Sequence, residues 1–234
     1  MSLFSLRTAL KAGADKEQAK NLQRFFKTGP GEYGEGDIFL GFKVPVLRSI
    51  AKQHLDLTFD ELQNLIESPI HEERMAALMI LVLRFPKSTP EEKNKIFKFY
   101  IKNSKNINNW DLVDLSAPQI VGGYLIDRDK NILNKLSSSK NLWEKRISIL
   151  ATFQFIKEKQ FDTALTIAEK LLNDEHDLIH KAVGWMLREI GKRDLETEED
   201  FLKGRYKNMP RTMLRYAIEK FPEKKRKAYL NGTI

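Results

Sequence analysis

Three tryptophans stand beside charged residues at helical spacing. Asn109-Trp110-Asp111-Leu112-Val113-Asp114 sets Trp110 and Asp114 at i and i+4. Asn141-Leu142-Trp143-Glu144-Lys145-Arg146 sets Trp143 and Arg146 at i and i+3, and Lys181, Trp185 and Arg188 fall along one stripe. On a helix, such neighbours share a face. A carboxylate held there can stabilise a nearby cation and orient a water. An indole face attracts a cation by about 0.5–2 kcal/mol, and arginine or lysine suits phosphate oxygens. The ordinary alternative is a core tryptophan beside a charge that reaches outward along its stem. It applies best to Trp143, whose apolar stripe continues through Ile147 and Leu150. Gly184 leaves room for something to approach the helix backbone, be it a partner or a packed helix.

These residues need helices to hold them. Alternation of period 2 is nearly absent, and the 3.6-residue period recurs throughout. Asp15-Lys16-Glu17-Gln18, Thr58-Phe59-Asp60-Glu61 and Thr89-Pro90-Glu91-Glu92 read as helix starts. Pro210 and Pro222 punctuate the last two helices. About twelve helices of roughly 10–17 residues are predicted. Similar apolar helices open near Ile70, Asn108, Asn141, Leu178 and Met209, with a more polar helix in each gap. That repeat predicts an all-α fold, an α-solenoid of HEAT or armadillo type, with one helix of each pair on a concave face. No long linker interrupts it, so residues 1–234 are expected to form a single domain.

One segment breaks the pattern. Gly29-Pro30-Gly31-Glu32-Tyr33-Gly34-Glu35-Gly36-Asp37 is rich in turn residues, and Ile38-Phe39-Leu40-Gly41-Phe42 is apolar. Residues 29–42 are expected to form a loop or a short β-hairpin, with a helix starting at Val44-Pro45. A nucleotide site is not expected, because no strand precedes the glycines and acids fill their spacing.

Composition narrows the classes further. The 234 residues carry 40 Lys+Arg against 32 Asp+Glu, a formal charge of +8. Of this surplus, 14 Lys/Arg against 8 Asp/Glu lie from Lys181 onward, densest at Lys224-Lys225-Arg226-Lys227. That run reads either as a solvated tail or as a phosphate-facing end. Cysteine is absent and there are 4 His, so no thiolate site, cysteine nucleophile or metal site is expected. With 31% charged and 10% aromatic residues the chain is not disordered. No apolar run reaches the roughly 18 residues of a membrane span. The N-terminal residues show no secretory signal, which predicts a cytoplasmic, nucleoid-associated protein.

Taken together, NWDLVD, NLWEKR, HKAVGWMLRE and MPRTMLRYAIEKF resemble the AlkD family of DNA alkylation repair proteins, the HEAT-like-repeat DNA glycosylases. The resemblance covers nearly the whole chain. It implies a solenoid that cradles double-stranded DNA in its concave face, and hydrolysis of the N-glycosidic bond of purines alkylated at N3 or N7. Trp110 and Trp185 match tryptophans that contact the lesion nucleotide's sugar-phosphate. Asp114 matches the catalytic aspartate, and Arg146 the arginine that holds the backbone nearby. Lys181 and Arg188, on the Trp185 stripe, are expected to meet DNA as well. Phe25 falls where active members carry a tyrosine, which removes a hydroxyl. The 29–42 segment is similar to that of a subgroup regarded as binders of unusual DNA structures. The chemistry needs neither metal nor cofactor, because an alkylated purine is already a cationic leaving group. A monomer is expected. The alternatives are a non-catalytic protein that binds branched or distorted DNA, and a peptide-binding scaffold with a basic surface.

Overall fold

The computed structural model describes residues 2–234. By its internal contacts the chain divides into two compact units, Met1–Ser116 and Ala117–Ile234. The first unit contains α1 (Leu3–Ala12), α2 (Lys16–Phe25), α3 (Val44–Lys52), α4 (Phe59–Ile66), α5 (His71–Arg84), α6 (Pro90–Lys102) and nearly all of α7 (Trp110–Ala117). The second contains α8 (Gly123–Leu125), α9 (Asn131–Ser137), α10 (Leu142–Lys157), α11 (Asp162–Lys170), α12 (Asp177–Gly191), α13 (Leu195–Lys203), α14 (Arg211–Ala217) and α15 (Glu223–Asn231). The fold class is all-α and solenoid-like. Among the described residues there are more helical segments than the predicted twelve, and several are shorter, with α9 and α14 running 7 residues each.

The expected starts are used. Thr58 and Glu61 exchange bonds in a capping box, the Thr58 hydroxyl accepting from the Glu61 amide at 3.2 Å and the Glu61 carboxylate from the Thr58 amide at 2.8 Å. Asp15 accepts from the Glu17 and Gln18 amides to open α2. Thr89 caps α6, with Pro90 at its first position and Glu91 and Glu92 in its first turn. Asn141 caps α10 through the Trp143 and Glu144 amides. Pro210 and Pro222 stand just before α14 and α15.

Within the first unit, α3 and α4 pack on α5, whose Met75–Leu81 run is wholly buried. In the second, α10 packs on α9 and α12, and α12 on α14, with α11 on α10 and α13 on α12. Neighbour-on-neighbour packing of this kind is the local rule of a helical-repeat fold. Trp143 is core, buried with Ile147 and Leu150. Gly184 serves helix packing, because a Cβ there would stand 2.4 Å from the Met213 carbonyl oxygen and 2.5 Å from Tyr216 Cβ of α14.

Residues 29–42 form a loop, not a hairpin. Its backbone makes successive turns, and the one pairing is an isolated parallel bridge between Ile38 and Ile70. The loop is fastened to α5 rather than projected from it. Glu72 accepts the amides of Leu40 at 2.9 Å, Gly41 at 2.9 Å and Phe42 at 3.3 Å. Gly41 has φ +95°, and a Cβ there would lie 2.1 Å from the Asp15 carbonyl oxygen. A glycine is therefore required on both conformational and steric grounds.

Two stability predictions follow from this packing. Glu72→Ala strands three amides, two of them buried, and is expected to cost about 2–4 kcal/mol, read from the urea midpoint. Gly184→Ala is expected to lower stability by about 1–3 kcal/mol through overpacking, outweighing the roughly 1 kcal/mol that alanine gains in a helix. An unchanged midpoint in either variant contradicts the corresponding contact.

Candidate functional site

The site grows from α7. Its first amide, on Trp110, donates to the Asn109 side chain at 2.8 Å. Leu112, Val113 and Ser116 are buried. Ser116 shares a 2.9 Å hydrogen bond with the hydroxyl of Tyr100 on α6, so that side of α7 is committed to packing. Trp110 and Asp114, one turn apart on another face, are both half-buried. Burial raises the Tyr100 phenol's pKa. The bond to Ser116 opposes this, and the Asp114 charge adds to it. The Asp114 carboxylate is therefore felt across the helix. Pro118, four residues on, has no N–H to give the Asp114 carbonyl, and the chain passes there into a π-helical turn, Pro118–Gly122. Such turns are uncommon and are frequent at functional sites.

The Trp110 indole ends a column of rings. It stacks on Phe26 at 5.2 Å and 25°. Phe26 stacks on Phe39 at 5.1 Å, and Phe39 on the His71 imidazole at 4.4 Å. Phe25 stands edge-on to the indole at 6.0 Å and is 62% exposed. Phe39 comes from the 29–42 loop and Phe26 from the end of α2, so Trp110 rests on both.

Beneath the column lies a cluster of charges. His71 Nδ1 is 3.2 Å from Asp37 Oδ2, and its Nε2 is 2.9 Å from Asp111 Oδ2. Arg74 Nη2 donates to Asp37 Oδ1 at 2.6 Å, and Arg74 Nη1 to the Ser68 carbonyl at 2.8 Å. Asp37, His71 and Arg74 are 5%, 2% and 3% exposed. Burial pushes the imidazole pKa down. The Asp111 charge and hydrogen bond, with the Asp37 hydrogen bond, more than reverse this and raise it to about 9. Burial pushes the Asp37 carboxyl up, but the bond to His71 and the Arg74 and His71 charges hold it below the usual range. Sequence spacing did not point to this cluster, because its members lie 34 and 40 residues apart. Its trace in the sequence is His71-Glu72-Glu73-Arg74, four polar residues opening an otherwise apolar helix.

The second unit holds the other expected residues. Trp185 is half-buried on α12, 6.1 Å from the Phe153 ring, and its Nε1 donates to Glu189 Oε1 at 3.3 Å. Lys181 pairs with Asp177 at 2.6 Å, and Arg188 with Glu219. Arg146 is 5% exposed and donates to the Leu178 carbonyl at the start of α12. The terminal basic run is largely paired. Lys225 meets Glu199, Arg226 is 2.8 Å from Glu223, and Lys227 is 3.5 Å from it. Among the described residues, no group of three His, Asp or Glu is placed to hold a metal ion, and no helix is long and apolar enough to cross a membrane.

Comparison with known proteins agrees with this architecture. The family model described as "DNA alkylation repair enzyme" matches residues 6–221. A predicted DNA alkylation repair enzyme from Enterococcus faecalis superposes with a TM-score of 0.70 at 16% identity, over 90% of this chain and 97% of that one, which is a likeness of fold. No curated protein sequence matches. With its matched span running from the first helix to the turn before the last, the chain belongs to the DNA alkylation repair enzyme family.

Proposed function

We propose that the protein binds duplex DNA and hydrolyses the N-glycosidic bond of purines alkylated at N3 or N7. A role in DNA repair follows from the family. The finer reading rests on one observation: Trp110 and Asp114 share a half-buried face of α7, one helical turn apart, while the opposite side is spent on packing. An N3- or N7-alkylated purine leaves as a neutral base, so no strong general acid is needed. What needs stabilising is the sugar as it gains oxocarbenium character. The Asp114 carboxylate does this electrostatically and orients the attacking water. The indoles of Trp110 and Trp185 offer faces to the cationic base or sugar. Lys181, Arg188 and Arg146 are assigned to the DNA backbone. Their acidic and backbone partners must then exchange for phosphate, most of all at buried Arg146. The reaction uses no cofactor, and the protein acts as a monomer in the cytoplasm at the nucleoid.

One observation favours the second reading, a non-catalytic binder of branched or distorted DNA. The exposed ring beside Trp110 is Phe25, which has no hydroxyl to offer. Free-base release decides between the two. Asp114→Asn is expected to lower 7-methylguanine release from methylated duplex by about 10²–10³-fold, with DNA affinity nearly unchanged. Equal losses in both remove the catalytic role. No release by the parent protein leaves the binder. Affinity should also fall steeply with salt, and a shallow slope would favour a protein partner instead.

A further inference from the structure

His71 is not among the residues to which the proposed chemistry assigns a role, yet it joins every element around Trp110. Its two ring nitrogens face two carboxylates, Asp37 of the 29–42 loop and Asp111 of α7, while the residue itself belongs to α5. A neutral imidazole has one N–H and one lone pair, so it can satisfy only one of the two. Only the doubly protonated ring donates to both. The groups facing it are those two carboxylates and, from its own helix, the Arg74 guanidinium on the far oxygen of Asp37. Two anions and two cations then balance in a nearly dry pocket. A buried set of this kind is destabilised strongly when one member is removed, because the remaining charges lose their compensation. The same ring that closes the charge balance also starts the stacked column Phe39, Phe26, Trp110.

We propose that His71 is a positioning residue for Trp110: by bonding Asp37 and Asp111 at once it clamps the 29–42 loop and the first turn of α7 to α5, and so fixes the indole through Phe39 and Phe26. The inference rests on the reading of the α7 face as the DNA-facing site, but the clamp itself exists without DNA. Asp111 follows Trp110 directly in the chain, so the clamp also holds the backbone from which the indole hangs. It assigns the 29–42 loop an internal task, setting the geometry of Trp110, in place of a reach toward DNA.

The clamp predicts its own pH dependence. The imidazole pKa is raised from 6.5 to about 9 in the folded protein. Its contribution is therefore complete below pH 6.5 and is lost as pH rises through about 9. The test uses a protein whose single tryptophan is Trp110, made with Trp143→Phe and Trp185→Phe, and reads acrylamide quenching of that indole from pH 7 to 10 without DNA. Quenching is expected to rise with a midpoint near 9. His71→Gln should be quenched as strongly at pH 7 as the parent is at pH 10, with no midpoint. His71→Gln with Asp111→Asn, which restores charge balance with Asp37 and Arg74 alone, should recover part of the protection and stay flat with pH. An unchanged quenching constant in His71→Gln at pH 7, or a midpoint that survives it, overturns the proposal. If His71→Gln does not fold, the parent's titration decides, and a flat trace from pH 8 to 10 overturns it. Because no DNA is present, this outcome is independent of whether the protein releases a base. Where release is observed, His71→Gln should slow single-turnover release by about tenfold with DNA affinity held, the pattern of a misplaced indole rather than a lost contact.

Discussion

The first unit depends on the charge compensation of carboxylates drawn partly or wholly out of water. Asp37 and Asp111 are brought together from a glycine-rich loop and a helix start, and both meet the His71 imidazole, with the Arg74 guanidinium also on Asp37. A third carboxylate, Glu72, is satisfied differently, by three consecutive amides of the same loop. The first turn of α5 thus contributes a cation, an anion acceptor and a guanidinium, all directed at one segment. With Glu73, which pairs with Arg7 of α1 at 2.9 Å, this explains why a mostly apolar helix opens with four polar residues. It also explains why the loop is fastened to α5: three of its amides and its one buried acid find their partners there.

From that constraint the geometry of the candidate site follows. The clamp seats Phe39, Phe39 seats Phe26, and Phe26 carries the Trp110 indole. Asp114 shares the rigid first turns of α7 with Trp110, and its carbonyl loses its usual donor at Pro118. A carboxylate in a stiff, half-dry setting costs little reorganisation when charge develops beside it, which is the requirement for stabilising a sugar cation. The aromatic column adds a face that tolerates positive charge. The Phe25 ring extends that apolar surface toward solvent without adding a donor.

Helix starts were legible in the sequence because capping is local. Thr58, Thr89, Asp15 and Asn141 each bond an amide two or three residues on, within reach of inspection. The shared faces of Trp110 with Asp114 and of Lys181 with Arg188 were legible for the same reason. Spacing does not say whether a face is free. Arg146 fits a phosphate ligand by its place in NLWEKR, yet its guanidinium already has the Leu178 carbonyl. Nor does spacing reveal contacts that depend on tertiary packing. In the sequence Asp37 is one acid among turn residues, and neither His71 nor Asp111 stands out by its spacing. Only the meeting of loop, α5 and α7 makes them one group. The same limit applies to residues 29–42, where turn composition left loop and hairpin equally open and the acceptors on α5 decided between them.

The geometry around Trp110 depends on the charge state of one imidazole. Nitrogen-15 NMR of the His71 ring in the intact protein reads it directly. Two protonated ring nitrogens at pH 7.5, converting to a single N–H with a midpoint near 9, is the predicted result. A ring with one N–H at pH 7.5 that titrates at the ordinary 6.5 contradicts it, because the two carboxylates would then lack the cation that holds them.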